Sequence, residues 1–302
     1  MRRALLATVT ALAALAAAAP AQAGARGPGV VHPSLRSSLV AAYDFDHPMP
    51  GDPALEADQG RSGTEIELVH GGAAMRVRDR AHPGGGRVLQ TRPISAGGAD
   101  DWKAGSWSAS GLRTLRAFNA TEGVTVMGYF KRAMDGPAAG FNAIGLAGVL
   151  TGDSDGHAVR ALLELIDVDG TLRLVALGRR LDGGSSQTFA ATGDWRTLLP
   201  RDTWVHLAAT FDFGTGTMAL YRDGRPVAGR YTRTDDPWLV NGPGPHVSSA
   251  TDPRGIKIGG SFPWAGSPDR NPCDCRMDVL MLLDRALTAR EVANQYRFLT
   301  RG

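Results

Sequence analysis

The chain has 302 residues, with 33 lysines and arginines against 30 aspartates and glutamates, so its net charge is slight. That balance leaves no basic tract for nucleic acid or an anionic membrane surface. Two cysteines are too few for a disulfide scaffold, and 39 glycines suit a chain of many turns.

Residues 1–23 read as an export signal. Arg2 and Arg3 give a positive start, Ala4 to Ala19 an apolar core, and Ala21-Gln22-Ala23 a small-residue cleavage pattern. The run is largely alanine and stops at Pro20, short of the roughly 20 strongly apolar residues that span a bilayer. The expectation is a secreted, extracellular protein with no membrane span in the mature chain. Residues 24–36, rich in glycine and proline, read as a disordered lead-in, and 37–300 as one domain.

Beyond the lead-in the apolar period is two, the mark of strands. Leu39 to Asp46 alternates Leu39, Ala41, Tyr43 and Phe45 against Val40, Ala42 and two aspartates. Gly123 to Arg132 is a second strand. Ala158 to Val168 and Thr171 to Leu177 form a hairpin at Asp169-Gly170, a pair suited to the left-handed backbone of a tight turn. From Trp204 to Tyr221 another hairpin carries the apolar face Val205, Leu207, Ala209, Phe211 and Phe213, and Asp223-Gly224 turns the chain again. Met277 to Leu283 is apolar on both faces except at Asp278, which predicts a central, covered strand. The one helix lies at the C-terminus, where Thr288 and Glu291 form a capping box and Val292, Tyr296 and Leu299 repeat at helical spacing. These elements predict an all-β sandwich or barrel with one short C-terminal helix.

Three blocks resemble the laminin-G-like (concanavalin A-like lectin/glucanase) superfamily: LVAAYDFD with ADQGRSG (39–46, 57–63), DTWVHLAATFDFGTGTMALYRDGRPVAG (202–229), and IKIGG through CRMDVLMLLDRALTAREVANQY (256–260, 275–296). The resemblance implies a two-sheet jelly-roll sandwich. The stretch 96–115 matches none of the blocks and reads as an insertion. Because this fold hosts lectins, adhesion modules, glycosidases and lyases, its function must be argued from a site.

Glycoside hydrolysis needs two carboxylates about 5–5.5 Å or roughly 6.5–9.5 Å apart. The resembling glucanases carry E-x-D-x-x-E on one strand, whereas here Glu56-Ala57-Asp58 is followed by Arg61, and Glu164 and Asp167 fall on opposite faces of an extended strand. No catalytic residue is assigned. Resembling domains often hold a cation between the first-strand turn and the last strand, where Asp58 and Asp278 stand, which implies a structural Ca²⁺ completed by backbone or water oxygens. The alternative for Asp278 is an ion pair with Arg276, Arg285 or Arg61. Trp102, Trp107, Trp195, Trp238 and Trp264 lie in polar, Gly/Pro-rich surroundings and suit stacking on sugar rings, the alternative being that they plug the ends of the sandwich. Cys273 and Cys275 read as a local disulfide in an exported protein, with metal ligation or free thiols as alternatives. The expected function is a secreted, non-catalytic module that recognises extracellular carbohydrate or glycoprotein. The competing readings are a cell-surface structural or adhesion protein, and a polysaccharide hydrolase or lyase of the same fold.

Overall fold

Alternating apolar residues and tight turns produce eighteen strands among the described residues of a computed structural model, which covers 29–94, 100–119, 121–150, 161–179, 186–233, 253–260 and 271–301. They are β1 (Leu39–Tyr43), β2 (Pro48–Met49), β3 (Asp52–Glu56), β4 (Ile66–Val69), β5 (Arg76–Arg78), β6 (Arg87–Thr91), β7 (Lys103–Trp107), β8 (Gly123–Arg132) and β9 (Ala143–Leu150). The series continues with β10 (Ala161–Val168), β11 (Thr171–Arg179), β12 (Ser186–Ala191), β13 (Val205–Asp212), β14 (Thr217–Arg222), β15 (Arg225–Val227), β16 (Gly229–Tyr231), β17 (Gly255–Ile258) and β18 (Cys275–Leu283). A single helical turn, α1 (Trp195–Leu198), and the C-terminal α2 (Ala289–Thr300) complete the regular elements used below.

The strands form two antiparallel sheets. One has eight strands in the order β15-β14-β13-β8-β18-β6-β5, with β1 also paired to β18; the other has ten, β16-β12-β11-β10-β9-β17-β7-β4-β3-β2. This is the sandwich expected from the sequence. Its core lies between the sheets, where Val205, Leu207, Ala209 and Phe211 of β13 join one cluster with Leu163 and Leu165 of β10 and Leu174 of β11. Burying one such aliphatic or aromatic side chain contributes roughly 1.5–3 kcal/mol, so the alternation of β13 alone fixes which face looks inward. The Asp169-Gly170 and Asp223-Gly224 turns both have positive φ at both residues (53° and 77°, 49° and 73°), the backbone that a two-residue hairpin needs.

Three expectations change. Strand β1 stops at Tyr43, because Phe45 adopts φ 60° and turns the chain away. The presumed insertion holds β7, which sits inside the ten-stranded sheet between β17 and β4 and belongs to the fold. The end of the lead-in is also packed: Val31 and Leu35 are fully buried with Leu287, Val292 and Leu299, covering the outer face of the eight-stranded sheet.

Candidate functional site

Strand parity sets the outward face of the ten-stranded sheet. Ala104 of β7, Ile256 and Ile258 of β17 and Leu163 of β10 point into the core, so Lys103, Gly105 and Trp107, then Lys257, then Leu162 and Glu164 point out. Register aligns Gly105, Lys257, Gly148 and Leu162 in one row across four strands. A Cβ at Gly148 would strike Leu162 and the Ala161 carbonyl, so glycine is required there for the strands to close. Over this floor the Lys257 ammonium reaches the Glu164 carboxylate in an ion pair whose two side chains are each only 4% exposed. Such a pair keeps both charges inside an apolar layer, since removing either partner would strand the other. In the next row, opposite Gly255 and Leu150, Trp107 is half-buried and packs against Leu150 and Leu162, with the Arg254 guanidinium 5.9 Å from its ring centre. An aromatic face, a cation and an apolar shelf therefore share one patch.

Trp107 is the only one of the five tryptophans that the structure puts on such a patch among the described residues. Trp102 lies five residues earlier, just before β7 and bridged to Arg92, packed against the core under the Arg92 guanidinium, which is 3.6 Å from the ring centre. Its ring occupies the space over Gly71. Trp195 opens α1 and is buried in the core between Arg132 and Arg196, so it is not a sugar platform. Apolar contact won over the polar surroundings that suggested exposure. Trp238 and Trp264 lie outside the described residues.

Asp58 and Asp278 each have their own contacts, with no residue shared between them. Oδ1 of Asp58 accepts the amides of Ala42 (2.8 Å) and Gly60 (2.6 Å), and Oδ2 accepts the Ser62 hydroxyl (2.6 Å). Its carboxylate shapes its own loop. Asp278 sits on β18 at a bulge where Val279 takes φ 49°, a strained backbone for a β-branched residue. Its Oδ1 accepts the Val279 amide at 2.8 Å, and its Oδ2 has no hydrogen bond and lies 3.7 Å from Nε2 of His82. With one carboxylate occupied and the other facing an imidazole, these residues do not fit a calcium cage. The three arginines considered for Asp278 are engaged elsewhere: Arg276 with Asp79, Arg285 with Glu291, and Arg61 with Asp284. Burial, outweighing the Val279 amide that lowers it and helped by the nearby charges of Asp44, Asp46 and Asp79, pushes the Asp278 carboxyl well above its ordinary range. Asp44, His47 and Glu56 do converge, but both oxygens of Glu56 are taken, one by Arg76 and one by the His47 amide.

Beside Asp278 the outer face of the eight-stranded sheet holds a chain of rings: His82 on Tyr129, Tyr129 on His206, and His206 on Tyr296 of α2. His206 is fully buried with neither ring nitrogen hydrogen-bonded, and burial pulls its pKa down to about 4. Cys273 and Cys275 are joined in a disulfide with a Cα–Cα distance of 5.3 Å, reached by leaving the extended spacing just before β18. The sequence reading missed the Lys257–Glu164 pair. Its signal was present in Ile256-Lys257-Ile258 and Leu163-Glu164-Leu165, two lone opposite charges in apolar strands.

A family model described as the concanavalin A-like lectin/glucanases superfamily matches residues 117–293. A search of curated proteins returns no match. Among solved structures, the binding domain of botulinum neurotoxin DC in complex with rat synaptotagmin II is 8% identical over 88% of this chain and 52% of its own, with a TM-score of 0.56. A botulinum neurotoxin type C structure, whose cell entry depends on interaction with two ganglioside molecules, is 11% identical over 89% and 53%, TM-score 0.53. Trypanosoma rangeli sialidase in complex with 2,3-difluorosialic acid is 16% identical over 88% and 33%, TM-score 0.51. At these identities the likeness is one of fold, and the chain spans between a third and about half of those proteins.

Proposed function

The chain belongs to the concanavalin A-like lectin/glucanase superfamily, and from that premise we propose that it is a secreted, non-catalytic module that binds carbohydrate, free or carried on a glycoprotein. Secretion rests on the export pattern of residues 1–23. The observation that carries the binding role is Trp107, partly exposed beside Arg254 and backed by the buried Leu150 and Leu162 on the outward face of the ten-stranded sheet. An indole offers a flat apolar face to the C–H side of a sugar ring, and a guanidinium beside it can donate to ring hydroxyls. The ganglioside and sialic-acid derivative named for the structural neighbours are ligands of the same chemical class.

The fate of the buried carboxylates supports a non-catalytic reading. Of these, Glu164 is neutralised by Lys257 and Glu56 by Arg76, and the unpaired Asp278 lies on the outer face of the other sheet with its Oδ1 held by the Val279 amide, so no two free carboxyls face each other across a bond among the described residues. The test is a glycan array followed by titration of the best ligand. Trp107→Ala should weaken binding about tenfold, or ~1.4 kcal/mol, in a variant that remains folded by circular dichroism. Release of new reducing ends from the bound glycan, or undiminished binding by the variant, would overturn the proposal.

A further inference from the structure

The tight Asp223-Gly224 hairpin places Arg222 and Arg225 directly opposite one another. Like charges so paired on adjacent strands repel and destabilise the hairpin. Only partial relief is present. Asp223 lies 3.7 Å from a terminal nitrogen of Arg222, but its Oδ1 is occupied by the His206 amide at 3.0 Å. Among the described residues the Nε of Arg222 is buried without a hydrogen-bond partner, and Arg225 is exposed with neither a hydrogen bond nor an ion pair. Sequence and fold thus hold two guanidiniums side by side, one only partly compensated by Asp223 and one exposed.

That point is the wall of a cleft of about 560 Å³, within the roughly 300–1,000 Å³ range of small-molecule sites. The hairpin forms one side, and Leu198 of α1 with the Thr192-Gly193 segment forms the other. Tyr296 of α2 lines it too, its place fixed by close packing of the turn: a Cβ at Gly224 would come within 3.2 Å of Tyr296. Among the described residues the Tyr296 hydroxyl makes no hydrogen bond, and the charges of Asp223, Arg222 and Arg225 all act on it. The cleft therefore presents two guanidiniums, one carboxylate, a phenol and the apolar edges of Leu198 and Val227, with a net charge of +1.

We propose that this cleft binds an acidic sugar, its carboxylate held by Arg222 and Arg225 and its ring face laid against Tyr296. Guanidinium matches carboxylate with paired, directed donors. The tyrosine ring and aliphatic edges suit the C–H face of a pyranose, and Asp223 can accept from its hydroxyls, features a bare anion would not use. The site lies at the hairpin and helix, distinct from the Trp107 patch, and stands whether or not that patch binds glycan.

The test is an amide-resolved NMR titration of the full chain with D-glucuronate, run beside D-glucose and sodium sulfate. Glucuronate should shift the amides of residues 222–227 and Tyr296 saturably, more strongly than either control. Arg225→Ala, at an exposed position, should weaken this at least tenfold, while Arg201→Ala, which removes the same charge beside Asp135, should leave it unchanged. Tyr296→Phe should weaken it severalfold with the fold intact. The proposal is overturned by no saturable shift with glucuronate, by sulfate binding as well (a plain anion site), by glucose binding as well, or by an unaffected Arg225→Ala.

Discussion

Asp278 holds its proton to unusually high pH because burial on the covered face of a sheet penalises its charged form, with no cation paired to its free oxygen among the described residues. Below its ordinary value of 3.8 the folded and unfolded chains both carry that proton. As pH rises the unfolded chain releases it first, so this group removes stability with increasing pH. Asp278→Asn should therefore be more stable than the native chain near neutrality, with the gain vanishing toward about pH 4. His206 acts in the opposite sense. Its pKa falls from 6.5 to about 4, so its contribution is complete above 6.5 and is lost as pH drops toward 4, by up to about 3 kcal/mol. His206→Phe keeps the ring contacts and should flatten that acid limb. Urea unfolding of both variants across this range checks the pair; parallel pH profiles for variant and native chain would contradict it. The sequence exposed Asp278 as the one ionisable intruder in an apolar strand. It did not reveal His82, which sits in a loop without period, nor that Arg276, Arg285 and Arg61 each find a closer acid.

In α2 the Thr288 hydroxyl accepts the Glu291 amide while Glu291 accepts the Thr288 amide, and Arg285 grips both Glu291 oxygens at 2.7 and 2.9 Å. Hydrogen bonds from Arg285, more than the opposing effect of burial, lower the Glu291 pKa to about 2, so the cap holds above 4.5 and loosens only as pH falls toward 2. Glu291→Ala should cost about 1–2 kcal/mol, seen as a lower urea midpoint at unchanged slope. The cap was legible because its residues are local, three positions apart; β8 and β13 were legible because large apolar residues recur at period two, and β18 because it is an apolar run broken only by Asp278. Strand β7, KAGSW, was not: its inward residues are only Ala104 and Ser106, too small to print an alternation, and its place between β17 and β4 depends on partners roughly 150 residues downstream and 35 upstream. The same limit hid the site. Trp102 and Trp107 looked equivalent as loop tryptophans until a strand between them sent one inward and one out.

At the scale of the whole molecule the two ends of the described chain make one lid. Strand β1 pairs with β18, while Val31 and Leu35 pack with Leu287, Val292 and Leu299 over the outer face of the eight-stranded sheet. Gln295 ties the lid together, accepting the His32 amide and donating to the Val30 carbonyl, both at 2.8 Å, and it is itself fully buried. Removing it leaves a buried amide and carbonyl unmatched, which costs about 1–3 kcal/mol for each such group. Gln295→Ala should therefore destabilise by roughly 2–4 kcal/mol, and the loss should be uneven in space. Amide exchange should quicken at residues 30–35 and through α2, while β9, β10 and β11 in the opposite sheet keep native protection. Opening the lid also wets His206, so its pKa should climb back toward 6.5 in the variant and the acid limb should shrink with it. Equal loss of protection in both sheets would mean that the lid and the sandwich unfold as one unit, and the pH response would then belong to global unfolding instead of to this covered face.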